Sequence, residues 1–308
     1  MKIMGVNRRQ FLQNGTLALA GLALASDGEA NQSSLQKRIR RLLPSLEAAV
    51  KSYSGWDPHR ESFHITIVPD KSFYREGCEE PLRRKGIDVT HYVPNTGVER
   101  QKRLMERMFS LVDGIYDDTT QTCIIPERDT GSLLRLPKPL FGDPLGELVG
   151  LVSKGTEDDA LALTVGEELF HHAQFSNFPK FHKRYNQLLR QTVGRYLYVN
   201  EPCRESRRAA RQLKGLLSLA EGDALLFGQT LRRDYFPNAP EPSLWRQLNG
   251  VILLAVSPQL REAYHEKVSQ YVHGAKLLTD CCGIDASRRE TVNRLYRDPN
   301  RAIRIFDP

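Results

Sequence analysis

The apolar residues of this chain change their spacing once, and that change limits the folds open to it. Residues 62–68 read Ser-Phe-His-Ile-Thr-Ile-Val and are followed by Pro69, which is typical of a β-strand. From residue 156 almost to the end, apolar residues recur at helical spacing. A small sheet followed by a mostly helical half predicts an α+β fold in one domain.

Turn and breaker residues divide the two halves further. Asp117 to Thr120 form a polar turn between two apolar segments, which predicts a hairpin. Helices are expected to end near proline-rich breaks such as Pro202 and Pro258. The predicted elements are helices at 34–53 and 97–112, strands at 62–68 and 133–136, a hairpin over 114–125, a loop at 137–144, and helices at about 156–177, 180–199, 204–234, 243–256, 258–280 and 287–296.

The first 25 residues have the pattern of an export signal. Arg8 and Arg9, followed by Gln-Phe-Leu, resemble the twin-arginine signature. An apolar stretch at 16–25 comes next and ends in Ala-Leu-Ala, a small-x-small pattern that signal peptidases accept. Because a membrane-spanning helix needs roughly 20 apolar residues, this stretch is too short to be an anchor. The other interpretation is a short buried helix after two surface arginines.

The resemblance implies that residues 1–25 are a signal peptide. The remaining residues, 26–308, are predicted to form the single α+β domain. Within that domain, 26–155 contain the sheet and 156–308 are helical. The implied location is periplasmic or secreted, the implied partner during export is the twin-arginine translocase, and the mature chain is expected to carry no transmembrane anchor.

The charge of the chain does not favour nucleic acid as a partner. The full sequence has a formal net charge of +7, and residues 1–25 contribute three of those positive charges and no acid. The remaining +4 is small for a chain of this length, and the basic clusters have the spacing of solvated helix faces. A weak electrostatic surface for envelope lipid or an anionic polymer stays open. These clusters are Lys37-Arg38-Arg40-Arg41, Arg100-Lys102-Arg103 and Arg204-Arg207-Arg208-Arg211.

The five cysteines indicate no recognisable chemistry. Their number is odd, so at least one thiol would stay free even in an oxidising compartment. Their spacing matches no zinc-binding pattern. They are Cys78, Cys123, Cys203, Cys281 and Cys282.

The most informative segment is Val-Gly-Glu-Glu-Leu-Phe-His-His-Ala-Gln at 165–174. Glu167 and His171 are four residues apart and therefore share one helix face, as do Glu168 and His172. The stripe through Leu161, Val165, Leu169 and Ala173 is apolar and is expected to anchor the helix in the core. One rigid helix could thus present both metal ligands and a proton acceptor.

This segment resembles the metal-binding helix of the zincin metallopeptidases. Their His-Glu-x-x-His motif holds zinc with both histidines and activates water with the glutamate. Aligned on Glu168 and His171, the chain matches that pattern but departs from it at the first histidine, which is Glu167. A carboxylate can also ligate zinc. The resemblance therefore implies Glu167 and His171 as zinc ligands and Glu168 as the general base.

A second segment, Glu-Gly-Asp-Ala at 221–224, is similar to the place where the gluzincin branch supplies its third ligand from a later helix. The resemblance implies Glu221 as that ligand, a peptide or protein as the substrate, and metal-activated hydrolysis as the reaction. The competing interpretation is a degenerate zincin-like protein that keeps the fold as a structural or binding module.

A third interpretation is a ferritin-like di-iron protein. Glu168-x-x-His171 and Glu262-x-x-His265 are two copies of the pair that such bundles use, and Glu47 and Glu221 fall in the required order. The strand-rich stretch at 62–136 fits poorly between the first two helices of a bundle. Serine-nucleophile elbows, phosphate-binding loops and dinucleotide glycine fingerprints are absent from the sequence.

Overall fold

Long helices carry most of the chain in the computed structural model, which describes residues 34–86, 114–127, 157–198, 204–239, 271–280 and 286–306. In chain order the elements are α1 (Ser34–Ser54), β1 (His64–Pro69), α2 (Asp70–Tyr74), a π-helical turn (Arg75–Glu79), α3 (Glu80–Arg84), β2 (Ile115–Asp117), β3 (Thr122–Glu127), α4 (Glu157–Asn177), α5 (Pro179–Tyr198), α6 (Arg204–Asp234), α7 (271–280), α8 (Ala286–Arg297) and α9 (Pro299–Phe306). A 3₁₀ turn, Arg60–Ser62, precedes β1.

The sheet of the described residues has three strands in the order β1-β3-β2. β1 pairs in parallel with β3, from His64 opposite Thr122 to Pro69 opposite Glu127. β2 and β3 form an antiparallel hairpin in which Tyr116 lies opposite Cys123. The hairpin turns through 118–121, where Gln121 has a positive φ of 54°. Both hairpin strands contact α4, so the sheet covers one side of that helix.

Helix α4 occupies the centre of the described fold. It packs against α1 and α6 as well as the sheet and α5. Its apolar stripe is fully buried, at 0% exposure for Leu161, Val165, Leu169 and Ala173, as the sequence predicts. Phe170 stacks on Phe227 of α6 with ring centroids 4.6 Å apart. Because α4 is surrounded on several sides, two of its polar residues, His172 and Gln174, are fully buried as well.

The α+β fold class is confirmed, and most element predictions within the described residues hold to within a few residues. The strand at 62–68, the hairpin and the helices α1, α4, α5, α6 and α8 are observed. Residues 271–280 are helical, as predicted for the end of 258–280. The elements predicted at 97–112, 133–136 and 243–256 lie outside the described residues. The single-domain boundary and the signal peptide stay predictions.

Two helical segments were not predicted. The run from α2 through α3 contains Gly77 and Pro81, which interrupt any periodic pattern. Pro81 nevertheless lies at the start of α3, where a helix does not need its missing N–H. At the other end of the chain, α9 buries Ala302, Ile303 and Phe306 against α6. Within the described residues, no helix combines the length and apolar character needed to cross a bilayer.

Candidate metal centre

Three side chains from two helices meet beside the core. Glu167 and His171 lie one turn apart on α4, and Glu221 comes from the middle of α6. One potential ligand atom from each residue lies within 4.8 Å of the other two. His171 Nε2 and Glu221 Oε2 are 3.6 Å apart. The structure therefore brings together all three residues that the sequence proposed as metal ligands.

The packing of α4 on α6 sets this arrangement. Gly166, the residue before Glu167, has no side chain, and a Cβ there would lie 2.6 Å from Leu231 Cδ2 of α6. The absence of that Cβ leaves room for the Leu231 side chain, which lies ten residues after Glu221 on α6. On α6, Leu217, Ala220 and Ala224 are buried around Glu221, which is itself only 1% exposed. The third ligand thus enters the site from a tightly packed helix.

The charges around Glu167, His171 and Glu221 favour the binding of a cation. Burial alone would lower the pKa of His171, but the Glu221 carboxylate outweighs burial and, with Glu168 and Glu167, raises it to about 9. Two carboxylates facing one imidazole leave an excess of negative charge. A divalent ion would neutralise that charge.

The donor set fits a transition metal such as zinc. Carboxylate oxygen and imidazole nitrogen bind zinc at about 2.0–2.2 Å, so neighbouring ligands of a tetrahedral site are separated by about 3.3–3.6 Å. The 3.6 Å between His171 and Glu221 lies in that range. Three protein ligands would leave one position open, which is the arrangement of catalytic rather than structural zinc sites. The geometry does not select one metal, since iron accepts similar ligands.

The Glu168 side chain lies beside the hairpin, whereas Glu167 lies beside His171 and Glu221. The Glu168 Cγ lies 3.7 Å from where a Cβ at Gly114 would be, which places the side chain beside the hairpin. Burial raises the pKa of Tyr116 far above its usual value, and the charge of Glu168 contributes to that rise. The same charge acts on His171. Glu168 is therefore next to the three-residue group without belonging to it.

His172 has a structural position and is not part of the metal group. Its Nε2–H donates to the His59 carbonyl at 3.1 Å, since a carbonyl can only accept. Nδ1 then accepts from the Tyr116 hydroxyl at 2.7 Å. Burial lowers the pKa of His172 to about 4, so the ring is neutral at pH 7. It joins α4 to the hairpin and to the left-handed turn at His59, which has a φ of 49°.

A polar network behind the metal group was missed by the sequence analysis. Gln174 contacts His171, and beyond it lie Tyr296, Asp223 and Arg289. The sequence analysis assigned no role to Gln174, Asp223, Arg289 or Tyr296. Nothing local marks this network, because Gln174 and Tyr296 are 122 positions apart in the sequence.

A second buried polar cluster joins α3, the hairpin turn and α5. Asp118 accepts hydrogen bonds from Lys85 Nζ at 2.5 Å, His182 Nε2 at 2.6 Å and Asn186 Nδ2 at 2.8 Å. Burial would raise the pKa of Asp118, but Lys85 and His182 hold it well below its usual value. Lys85 also donates to Asn186, so the cluster is internally satisfied. Its residues hold three elements together.

The structure does not bring together the ligands that the di-iron interpretation requires among the described residues. Glu47 forms an ion pair with Arg60, with 3.2 Å between Oε1 and Nε. Glu221 belongs to the group with Glu167 and His171, which does not include Glu47. Glu262 and His265 lie outside the described residues.

The cysteines that can be placed carry no reactive thiol. Cys78 and Cys123 are free and buried, and burial raises the pKa of both thiols. A thiol held in its neutral form is a poor nucleophile and a poor metal ligand. Cys203, Cys281 and Cys282 lie outside the described residues.

The fold is similar to one solved structure over nearly the full chain. That protein, from Chloroflexus aurantiacus, is described as "a putative hydrolase with a novel fold". The TM-score is 0.50, the sequence identity is 17%, and the alignment covers 98% of each chain. At this identity the similarity concerns the fold alone. No protein-family model matches the chain, and a search of curated proteins finds no significant match.

Proposed function

We propose that this protein is a metal-dependent hydrolase, and more specifically a zincin-like peptidase that is exported to the periplasm or secreted. The observation that carries the proposal is the convergence of Glu167, His171 and Glu221 on one point from two helices. The description of the structural neighbour as a hydrolase is consistent with it. Glu167 and Glu168 are adjacent on α4 but have different surroundings. In this proposal Glu167 binds the metal and Glu168 accepts a proton.

In this proposal Glu167, His171 and Glu221 hold a divalent ion, which we take to be zinc. Zinc in such a site supplies Lewis acidity, which polarises a carbonyl and makes water a better nucleophile. The Glu168 carboxylate accepts the proton of the attacking water. It then returns that proton to the leaving nitrogen of the peptide. The position of Glu168 between His171 and the hairpin suits this role, because its charge acts on the metal group without being part of it.

Elemental analysis of the purified full chain tests the proposal. We expect about one zinc-like ion per chain, and His171→Ala should lose it. His182→Ala is the matched control, since His182 is also a partly exposed helix histidine facing a carboxylate but lies in the Asp118 cluster. A protein with no transition metal and no thermal shift on metal addition would overturn the proposal and leave the structural module. Two irons per chain would instead favour the di-iron interpretation.

A further inference from the structure

Helix α8 carries, near its end, a tyrosine side chain (Tyr296) that contacts the polar network behind the metal group. We infer that Gln174 and Tyr296 are positioning residues of the metal centre, which fix the His171 ring so that Nε2 is the nitrogen that faces Glu221 and is available to a metal. This inference rests on the proposed metal site and extends it to a part of the chain with no role assigned by the sequence.

The first step is the orientation of the Gln174 amide. Its Nε2 lies 3.0 Å from the backbone carbonyl of Ala220 and donates a hydrogen bond to it. A carbonyl oxygen can only accept, so the amide nitrogen must be on that side. The amide oxygen therefore points the other way, and it lies 2.8 Å from His171 Nδ1. Gln174 is 0% exposed, so water does not compete for these bonds.

The second step follows for the imidazole. An amide oxygen is an acceptor, so Nδ1 of His171 must carry a hydrogen. The other nitrogen, Nε2, is then the one that can offer a lone pair to a metal, and it faces Glu221 at 3.6 Å. Metal-binding histidines commonly have the second nitrogen held by a hydrogen-bond acceptor, which sets the tautomer and the ring orientation.

The third step shows what holds Gln174. Its Nε2 also donates to the Tyr296 hydroxyl at 2.7 Å, and that hydroxyl donates to Asp223 Oδ2 at 3.2 Å. Arg289 pairs with both oxygens of Asp223, at 3.0 and 2.9 Å. Its guanidinium also lies 4.3 Å from the centre of the Trp56 ring. Tyr296 is 0% exposed, so the chain of contacts from α8 to His171 runs through the protein interior.

The network offers a matched pair of variants. Tyr296 and Tyr53 both donate a hydroxyl hydrogen to Asp223, but only Tyr296 also accepts from Gln174. Tyr296→Phe and Tyr53→Phe each delete one hydroxyl from the same carboxylate. A purely structural role would make the two variants behave alike. A positioning role predicts that only Tyr296→Phe, together with Gln174→Leu, weakens metal binding.

The experiment is a zinc titration of the full chain with a competing chelator, alongside urea unfolding. We expect zinc affinity to fall about 10- to 100-fold in Gln174→Leu and about tenfold in Tyr296→Phe, the range for lost second-sphere contacts. Tyr53→Phe should change it by less than about threefold. In the zinc-loaded protein, the His171 Nδ1–H proton should be visible by NMR and should exchange faster in Gln174→Leu.

The outcomes separate this inference from the proposed function. Equal zinc affinity in the wild type and in Gln174→Leu would overturn the inference while leaving the metal site intact. Equal losses in Tyr296→Phe and Tyr53→Phe would also overturn it, because they would indicate a general loss of stability. If the wild type itself binds no zinc, the proposed function falls and the inference falls with it.

Discussion

Glu167 and Glu168 are adjacent in the sequence but have different neighbours in the folded protein. Glu167 joins His171 and Glu221, whereas Glu168 lies beside the hairpin. If Glu168 is the general base, Glu168→Gln should leave folding and zinc content nearly intact. Peptide hydrolysis should then fall by a factor of about 100 or more, the usual effect of a lost general base. An unbiased peptide library measures the activity, and elemental analysis measures the metal.

The control for this prediction is Glu167→Gln, which removes a charged ligand and should reduce zinc affinity. Glu167→His restores the zincin pattern and should keep the metal. If Glu168→Gln loses the metal while Glu167→Gln keeps it, the ligand on α4 is Glu168. That result would contradict both the assigned roles and the zincin resemblance.

The ion pair of Lys85 and Asp118 allows a prediction about stability. Both side chains are only 3% exposed, so Lys85→Met would leave a buried carboxylate without its main cation. We expect a loss of about 3–5 kcal/mol in the free energy of unfolding at pH 7, measured by urea unfolding. Lys71→Met is the matched control, because Lys71 is exposed and its replacement should cost less than about 0.5 kcal/mol.

The stability that Asp118 contributes should decrease as the pH is lowered. Because the folded-state pKa of Asp118 lies well below its unfolded value of 3.8, its contribution to stability is complete above that pH. The contribution is lost as the pH falls below 3.8, when the unfolded state takes up the proton first. Lys85→Met removes the largest cause of that lowered pKa. The stability difference between wild type and variant should therefore be largest near pH 7 and shrink below about pH 4; a constant difference would contradict it.

At the residue scale, the sequence predicts contacts within a helix better than contacts between elements. Glu167 and His171 follow from the four-residue spacing alone, since any helix places them on one face. Glu221 required a resemblance, because nothing local indicates that α6 returns to α4. Gln174 and Tyr296 could not be paired at all, since their contact depends on the tertiary packing of α8.

At the element scale, two helices approach each other closely beside the third ligand. Helices α6 and α7 cross at Gly222 and Gly274, and a Cβ at Gly274 would lie 1.9 Å from the Ser218 carbonyl oxygen. Gly274→Ala must therefore push the helices apart. We expect a loss of about 1–3 kcal/mol in stability and a weaker zinc affinity, since Gly222 follows Glu221. Urea unfolding and zinc titration measure the two effects.

Gly166→Ala is the comparison for this helix crossing. Its new Cβ would meet the side-chain methyls of Leu231 and Leu46, at 2.6 and 3.2 Å. Side-chain tips can rotate away, whereas the backbone of Ser218 cannot. The higher helix propensity of alanine, worth about 1 kcal/mol over glycine, also offsets part of the loss. If Gly166→Ala lost as much stability as Gly274→Ala, or more, backbone contact at Gly274 would not be what determines the loss of stability.

The element predictions succeeded where periodicity runs long and failed where it is interrupted. Helices α4 and α6 span 21 and 31 residues, and so their patterns are unambiguous. The hairpin was recognised from its polar turn. The short helices between β1 and β2 went unpredicted because each has only one turn or so of pattern, with Pro81 and Gly77 breaking it.

At the scale of the whole molecule, export is the prediction that involves the full chain. Arg8 and Arg9 resemble the twin-arginine signature, and the proposal is that this pair directs export. Replacing both with lysine preserves the charge and should block delivery to the periplasm. Cell fractionation with an antibody to the protein measures this, and the single variant Lys2→Arg serves as a control outside the motif. Unchanged delivery of the double variant would show that the route is wrong.

The two-helix origin of the metal group also determines when a metal can be acquired. Glu167 and His171 are together as soon as α4 forms, but Glu221 arrives fifty positions later in the chain and becomes 1% exposed once α6 docks. The complete ligand set therefore exists only after α6 has packed against α4, and a metal that binds it would stabilise that packing. If the chain is exported already folded, as we propose, the site is complete before export, and the compartment of synthesis is the first place where it can bind a metal.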